Sequence, residues 1–201
     1  MMKLYTSMPS PFGRKVKVML METGLLDDTQ VIEVVTTPFA TDPAVAAANP
    51  SGKIPALLRE DGPAVYDSRV ICRYLDARAG AGLYPESRIW EVLTLEATAD
   101  GILEAALAMV YEHRFRPEDK VMPDWVEAQW ARVARSLDVL EARWMAHLSG
   151  KTDAGQIALG CALGYLDFRH AARDWRSGHE ALSRWYDGFS ARDSMVHTAP
   201  A

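Results

Sequence analysis

Cysteine is scarce in this chain. Only Cys72 and Cys161 occur among 201 residues, and neither belongs to a Cys-x-x-Cys pair. Each lies in its own apolar, helix-patterned segment, so the sequence predicts two buried free thiols and no disulfide framework. Free thiols suit a reducing compartment, and the expected location is cytoplasmic. The five histidines (His113, His147, His170, His179 and His197) show no metal-ligand spacing, and no metal site is expected. Long apolar runs are also missing. The most apolar stretch, 157–168, is too short for a bilayer, which takes about 20 residues. The N-terminus, MMKLYTSMPSP, lacks the apolar core of about 7–15 residues that marks a signal peptide. There is no long basic run, and the net charge is -5, so neither nucleic acid nor an anionic membrane is an expected partner.

What is present is an ordinary globular composition, 49% hydrophobic and 24% charged, with length enough for one large domain or two small ones. Residues 4–7 (LYTS) and 31–35 (VIEVV) read as strands around a helix over 11–23, closed by Gly24. ALLRE (56–60) and AVYD (64–67) flank Asp61-Gly62-Pro63 as a hairpin, and 68–80 reads as a helix. The order is β-α-β, then β-β-α. Beyond residue 82 strand signals vanish. Helical patterns cover 88–113, 124–148 and 179–191, and IALGCALGYL (157–166), apolar on nearly every side, reads as a buried central helix. In that helix Gly160 and Gly164 lie four apart, which allows a close helix approach. The expected domains are 1–80, α/β; 81–87, a linker; and 88–201, all-helical.

Three stretches carry candidate chemistry. In NPSGKIPAL (49–57), Asn49-Pro50-Ser51-Gly52 fits a type I turn. Ile54-Pro55 then enters a strand. A trans bond makes this a plain loop; a cis bond lets the N–H and C=O of Ile54 point outward, toward an extended peptide. In VYDSRVICRYL (65–75), Asp67-Ser68 opens a helix. Both residues are good caps, and the same free N–H groups, with the Ser68 hydroxyl, form an anion site beside an acidic group that suits an ammonium. In SMPSPFGRKV (7–16), Ser10-Pro11 reads as an N-cap followed by proline at the first helical position.

Taken in order and spacing, these stretches resemble the glutathione transferase family, in its cytosolic, serine-type, bacterial-like form. The likeness spans nearly the whole chain. The usual Ser/Thr-x-x-Asp cap of the central helix is represented by Asp153-Ala-Gly-Gln156, and the terminal motif by Leu182-Ser-Arg-Trp185 with Arg192-Asp193-Ser194, where Asp193 replaces a proline.

The resemblance implies a thioredoxin-like N-terminal domain followed by an all-α domain. It implies glutathione as co-substrate, with the Ile54 backbone on its cysteinyl unit and Pro55 cis. Asp67 and Ser68 would hold the γ-glutamyl group, and Lys53 would lie near the glycyl carboxylate. Ser10 aligns with the active-site serine, with Ser7 as its rival. The second substrate would be a small hydrophobic electrophile, with Met109, Tyr111, His113 and Phe115 as candidates to meet it. A homodimer and a role in detoxification are implied too. Asp100 resembles an acidic residue that some members supply across the dimer interface. Other readings on the same fold are a glutathione-dependent peroxidase or thiol oxidoreductase, and a non-catalytic binding protein. Thiol exchange would need a cysteine near the first helix, and none precedes Cys72.

Overall fold

The computed structural model describes residues 1–200. The chain forms two units: Met1–Arg88 with the segment from Asp193 onward, and Ile89–Arg192.

The first unit opens with β1 (Met2–Thr6), α1 (Pro11–Glu22), β2 (Thr29–Glu33) and α2 (Pro43–Ala48), and continues with β3 (Ala56–Arg59), β4 (Gly62–Val65) and α3 (Ser68–Ala79). The sheet order is β2-β1-β3-β4. β1 and β2 are parallel, as a helical crossover requires, and β3 and β4 run antiparallel to their neighbours. Along β1, Met2, Leu4 and Thr6 are buried while Lys3 is exposed, the period-2 signature of a strand. Both strands of the first motif begin two residues earlier than the sequence pattern suggests. The parallel pairing runs from Met2–Thr29 to Thr6–Glu33, so tertiary register sets the boundary where β-branched composition alone does not. Pro63 falls in β4, at the sheet edge, where a missing N–H is tolerated. Val16, Met19 and Leu20 of α1 and Ile71 and Leu75 of α3 are fully buried, together with Leu4 and Leu57 of the sheet. Full burial of each such side chain contributes about 1.5–3 kcal/mol. Gly80 ends α3 with φ of 63°, a left-handed cap that glycine adopts without a Cβ penalty.

The second unit is helical: α4 (Ile89–Phe115), α5 (Pro123–Arg143), α6 (Met145–Leu148), α7 (Ala154–His170) and α8 (Glu180–Ser190). Every residue of α7 from Ala154 to Leu166 is buried, as its all-round apolar pattern predicts. A close approach to α4 is made at Gly155, where a Cβ would lie 2.9 Å from both the Leu95 Cβ and the Val92 carbonyl oxygen. The single helix expected over 124–148 is divided. α5 stops at Arg143, and Trp144, its N–H on the Leu140 carbonyl, leads into the short α6. No helix among the described residues is long and apolar enough to cross a membrane.

The last residues, assigned from sequence to the helical domain, group instead with the first unit. Here α9 (Asp193–His197) packs on α1. The Arg14 Nη2 donates to the Met195 carbonyl at 3.0 Å, and the Ser194 hydroxyl to Glu22 Oε1 at 2.5 Å. Periodicity cannot reveal this return, because a five-residue helix has too few turns to show a face.

Candidate functional site

Topology brings the three candidate stretches to one end of the sheet. β1 runs toward that end and releases the chain at Ser7. β3 runs away from it, pairing Ala56 with Tyr5, so Ile54-Pro55 stands just beyond the same edge. β4 returns toward it, pairing Val65 with Leu57, and delivers Asp67-Ser68. Ser10, Ile54 and Asp67 therefore follow or precede three adjacent strands, β1, β3 and β4, which span about 10 Å at about 4.8 Å per strand spacing.

At the first position the backbone turns between Ser7 and Ser10, with the Ser10 N–H on the Ser7 carbonyl at 3.0 Å. Ser10 is the N-cap of α1 and is half-buried. Its Oγ accepts the Gly13 N–H at 3.1 Å, and Pro11 presents no competing N–H. That capping bond occupies a lone pair of the oxygen. The hydroxyl proton remains available for donation to an acceptor outside the helix.

At the second position the Ile54–Pro55 bond is cis. Ile54 takes no part in the strand ladder, which begins at Ala56. The loop before it is held by Asn49, 2% exposed, whose side-chain amide donates to the Lys53 carbonyl at 2.8 Å. Asn49 Oδ1 accepts the Ser51 N–H at 3.0 Å and the Ser51 hydroxyl at 2.8 Å. The Gly52 N–H closes the predicted turn on the Asn49 carbonyl at 2.8 Å. Lys53 is exposed.

At the third position Asp67 is the N-cap of α3 and accepts the Arg69 N–H at 3.0 Å. Its other oxygen meets the Arg69 guanidinium at 3.3 Å, in an exposed pair worth about 0–1 kcal/mol. Ser68, 2% exposed, opens the helix. Asp67 thus presents an exposed carboxylate and Ser68 a hydroxyl at the positive end of α3. Sequence reasoning missed Arg69 and Asn49. Arg69 lies two residues past the cap and could have been read as a competitor for Asp67; Asn49 was read only as a turn residue.

Residues 9–78 match the family model "Glutathione S-transferase, N-terminal domain", and residues 123–188 match "Glutathione S-transferase, C-terminal domain". The uncharacterized GST-like protein YibF of Escherichia coli is 34% identical over 205 residues, covering 99% of this chain and 98% of that protein. This chain belongs to the glutathione S-transferase family. A crystal structure of a glutathione transferase family member from Pseudomonas fluorescens, with bound glutathione, matches with TM-score 0.97 and 42% identity over 100% of both chains. A glutathione S-transferase from Methylobacillus flagellatus, with GSH bound, matches with TM-score 0.84 and 37% identity over 100% of both chains.

The fold is accordingly that of a glutathione transferase: a mixed four-stranded sheet with helices, then a helical domain. Within the helical unit of this transferase-family chain, the residues singled out on α4 divide. Met109 is buried and belongs to the core; Tyr111 and Phe115 are half-buried, and His113 is exposed. Tyr111 and Phe115 meet edge to face, with ring centroids 4.9 Å apart. Nearby on α7, burial pushes the Tyr165 hydroxyl up to about 12. Burial also holds His170 below the ordinary imidazole range, with its Nε2 3.0 Å from the Ala106 carbonyl. Asp100 of α4, the acidic residue likened to one supplied across a dimer interface, is 2% exposed. Both cysteines are buried thiols outside any disulfide, as expected.

Proposed function

We propose that the protein is a glutathione transferase that binds glutathione along the sheet edge and uses Ser10 to stabilise its thiolate. The observation that carries this reading is the alignment of three binding positions over three adjacent strands. Their span of about 10 Å lies within the reach of an extended tripeptide, at about 3.3–3.6 Å per residue, with the γ-glutamyl head at Asp67 and the cysteinyl sulfur at Ser10. In this reading the Ile54 backbone pairs with the cysteinyl unit, and Pro55 shapes that approach. Asp67 takes the γ-glutamyl ammonium, Ser68 and the α3 N–H groups take its carboxylate, and Lys53 takes the glycyl carboxylate. The glutathione-bound relatives from Pseudomonas fluorescens and Methylobacillus flagellatus support the ligand class.

Serine is too weak a base to remove the thiol proton. Its contribution is a hydrogen bond donated to the sulfur anion. A thiol has a pKa of about 8.5, and lowering it by about two units takes roughly 2.7 kcal/mol. A charge-assisted hydrogen bond supplies about 1.5–3 kcal/mol, and the α1 dipole about 0.3–1 more. The thiol proton passes to solvent water; the thiolate then attacks an electrophilic carbon, forming the S–C bond as the leaving group departs with its electron pair. A small hydrophobic electrophile is the proposed second substrate, and a cytoplasmic homodimer the proposed working form.

The test is a thiolate absorbance titration. Wild type with glutathione should ionise well below pH 8.5. Ser10→Ala should shift ionisation upward while the fold is retained, and Ser7→Ala should not. An unshifted Ser10→Ala curve refutes the assignment; a shift in Ser7→Ala transfers it to Ser7. Failure of glutathione to raise the melting temperature removes the binding reading altogether.

A further inference from the structure

Thr6 ends β1 with its side chain fully buried, and its Oγ1 has no hydrogen-bond partner. A hydroxyl in that state carries a desolvation cost. Directly across from it lies a second local cost, a glycine in the first turn of a helix, where alanine is intrinsically preferred. This residue, Gly13, has no left-handed backbone to justify it. Space does: a Cβ on Gly13 would stand 2.0 Å from Thr6 Oγ1, far inside van der Waals contact, and 3.3 Å from the Ser10 oxygen. The N–H of the same Gly13 is the donor that Ser10 Oγ accepts.

We propose that Thr6 and Gly13 form a size-matched pair that sets how deeply the first turn of α1 seats against the end of β1, and thereby fixes the Ser10 hydroxyl. Both are positioning residues; neither touches substrate. β1 cannot yield to a larger neighbour, because it is hydrogen-bonded on both sides, to β2 and to β3. The Thr6 side chain, fully buried and stiff at χ1, has little freedom to turn its hydroxyl aside, so added bulk at 13 lifts the turn that carries the capping bond. The catalytic part of this inference rests on the glutathione reading of Ser10; the packing part does not.

The experiment compares Gly13→Ala, Thr6→Ala and the double variant with wild type, in two measurements. In the thiolate titration, Gly13→Ala should shift the bound thiol upward by about one pKa unit, a roughly fivefold loss of thiolate at pH 6.5. Thr6→Ala/Gly13→Ala should recover to within about threefold of wild type. In urea unfolding without glutathione, Thr6→Ala should stabilise the Gly13→Ala protein more than it stabilises wild type, a non-additivity that independent sites do not show. If Gly13→Ala does not fold, a folded double variant supports the pair and an unfolded one overturns it. A wild-type thiolate curve in Gly13→Ala, or a double variant no better than the single in both measurements, overturns the proposal. Urea coupling with no change in the titration overturns the positioning of Ser10. Should wild type fail to ionise glutathione, the functional reading falls and takes the positioning role with it, and the urea coupling still decides the packing.

Discussion

Two helix N-termini, one in each unit, use the same device to different ends. α1 is capped by Ser10 and α7 by Asp153, and in both the side chain accepts an N–H three residues on, at 3.1 Å. Asp153 is fully buried and its capacity is taken. One oxygen holds the Gln156 N–H, and the other lies 2.8 Å from His147 Nε2. Gln156 in turn donates to the His147 carbonyl at 3.0 Å, closing the arrangement. Ser10 is half-buried, spends a lone pair on Gly13, and keeps a proton to donate. A saturated, buried cap serves the fold; a cap with unspent hydrogen-bonding capacity at an accessible edge can serve a ligand as well.

The largest expected effect sharpens this contrast from the structural side. Asp153→Ala removes the α7 cap and strips the half-buried His147 of its buried partner, and should cost about 2–4 kcal/mol by urea unfolding. A cost no greater than that of Ser10→Ala would break the distinction between the two caps. Next, Gly155→Ala places a methyl 2.9 Å from Leu95 and Val92, and should cost about 1–3 kcal/mol through forced separation of α4 and α7.

Ser10→Ala should cost only about 1 kcal/mol of stability, and Ser10→Gly a few tenths. Both should lose the thiolate shift equally, since both lack the hydroxyl. Equal thiolate losses with unequal stabilities separate the donor from the cap. Unequal thiolate losses would tie the sulfur effect to helix integrity instead. The smallest effect concerns His170. Burial lowers its folded-state pKa, so the unfolded chain binds the proton more readily. Its contribution is present above the unfolded value of about 6.5 and is lost as pH falls from there through the lower folded value. His170→Gln should flatten the stability profile in that window. An unchanged slope would show that His170 exchanges its proton equally in both states.

Much of this was readable from residue order. Ser10-Pro11 announces a helix start because proline's missing N–H costs nothing there. Asp67-Ser68 announces another, and the unbroken apolar run of α7 could only be buried. The cis state of Ile54–Pro55 was not decidable locally, since either isomer suits the dipeptide. α2 (Pro43–Ala48) passed unnoticed because its alanines carry little amphipathic signal, and the division at Trp144 is hidden inside a continuous heptad-like pattern. The pairing of Thr6 with Gly13 was out of reach too, because nothing in either residue names the other.

By itself, then, the sequence determined the four strands and the longer helices, the apolar face of each, and where the helix caps with free donors stand. These follow from chain-local sterics and periodicity. Only the tertiary structure decided the strand register, the return of the C-terminal residues to α1, and the gathering of Ser10, Ile54 and Asp67 at one end of the sheet. Each of these depends on contacts between residues distant in the chain, whose energies no local pattern encodes.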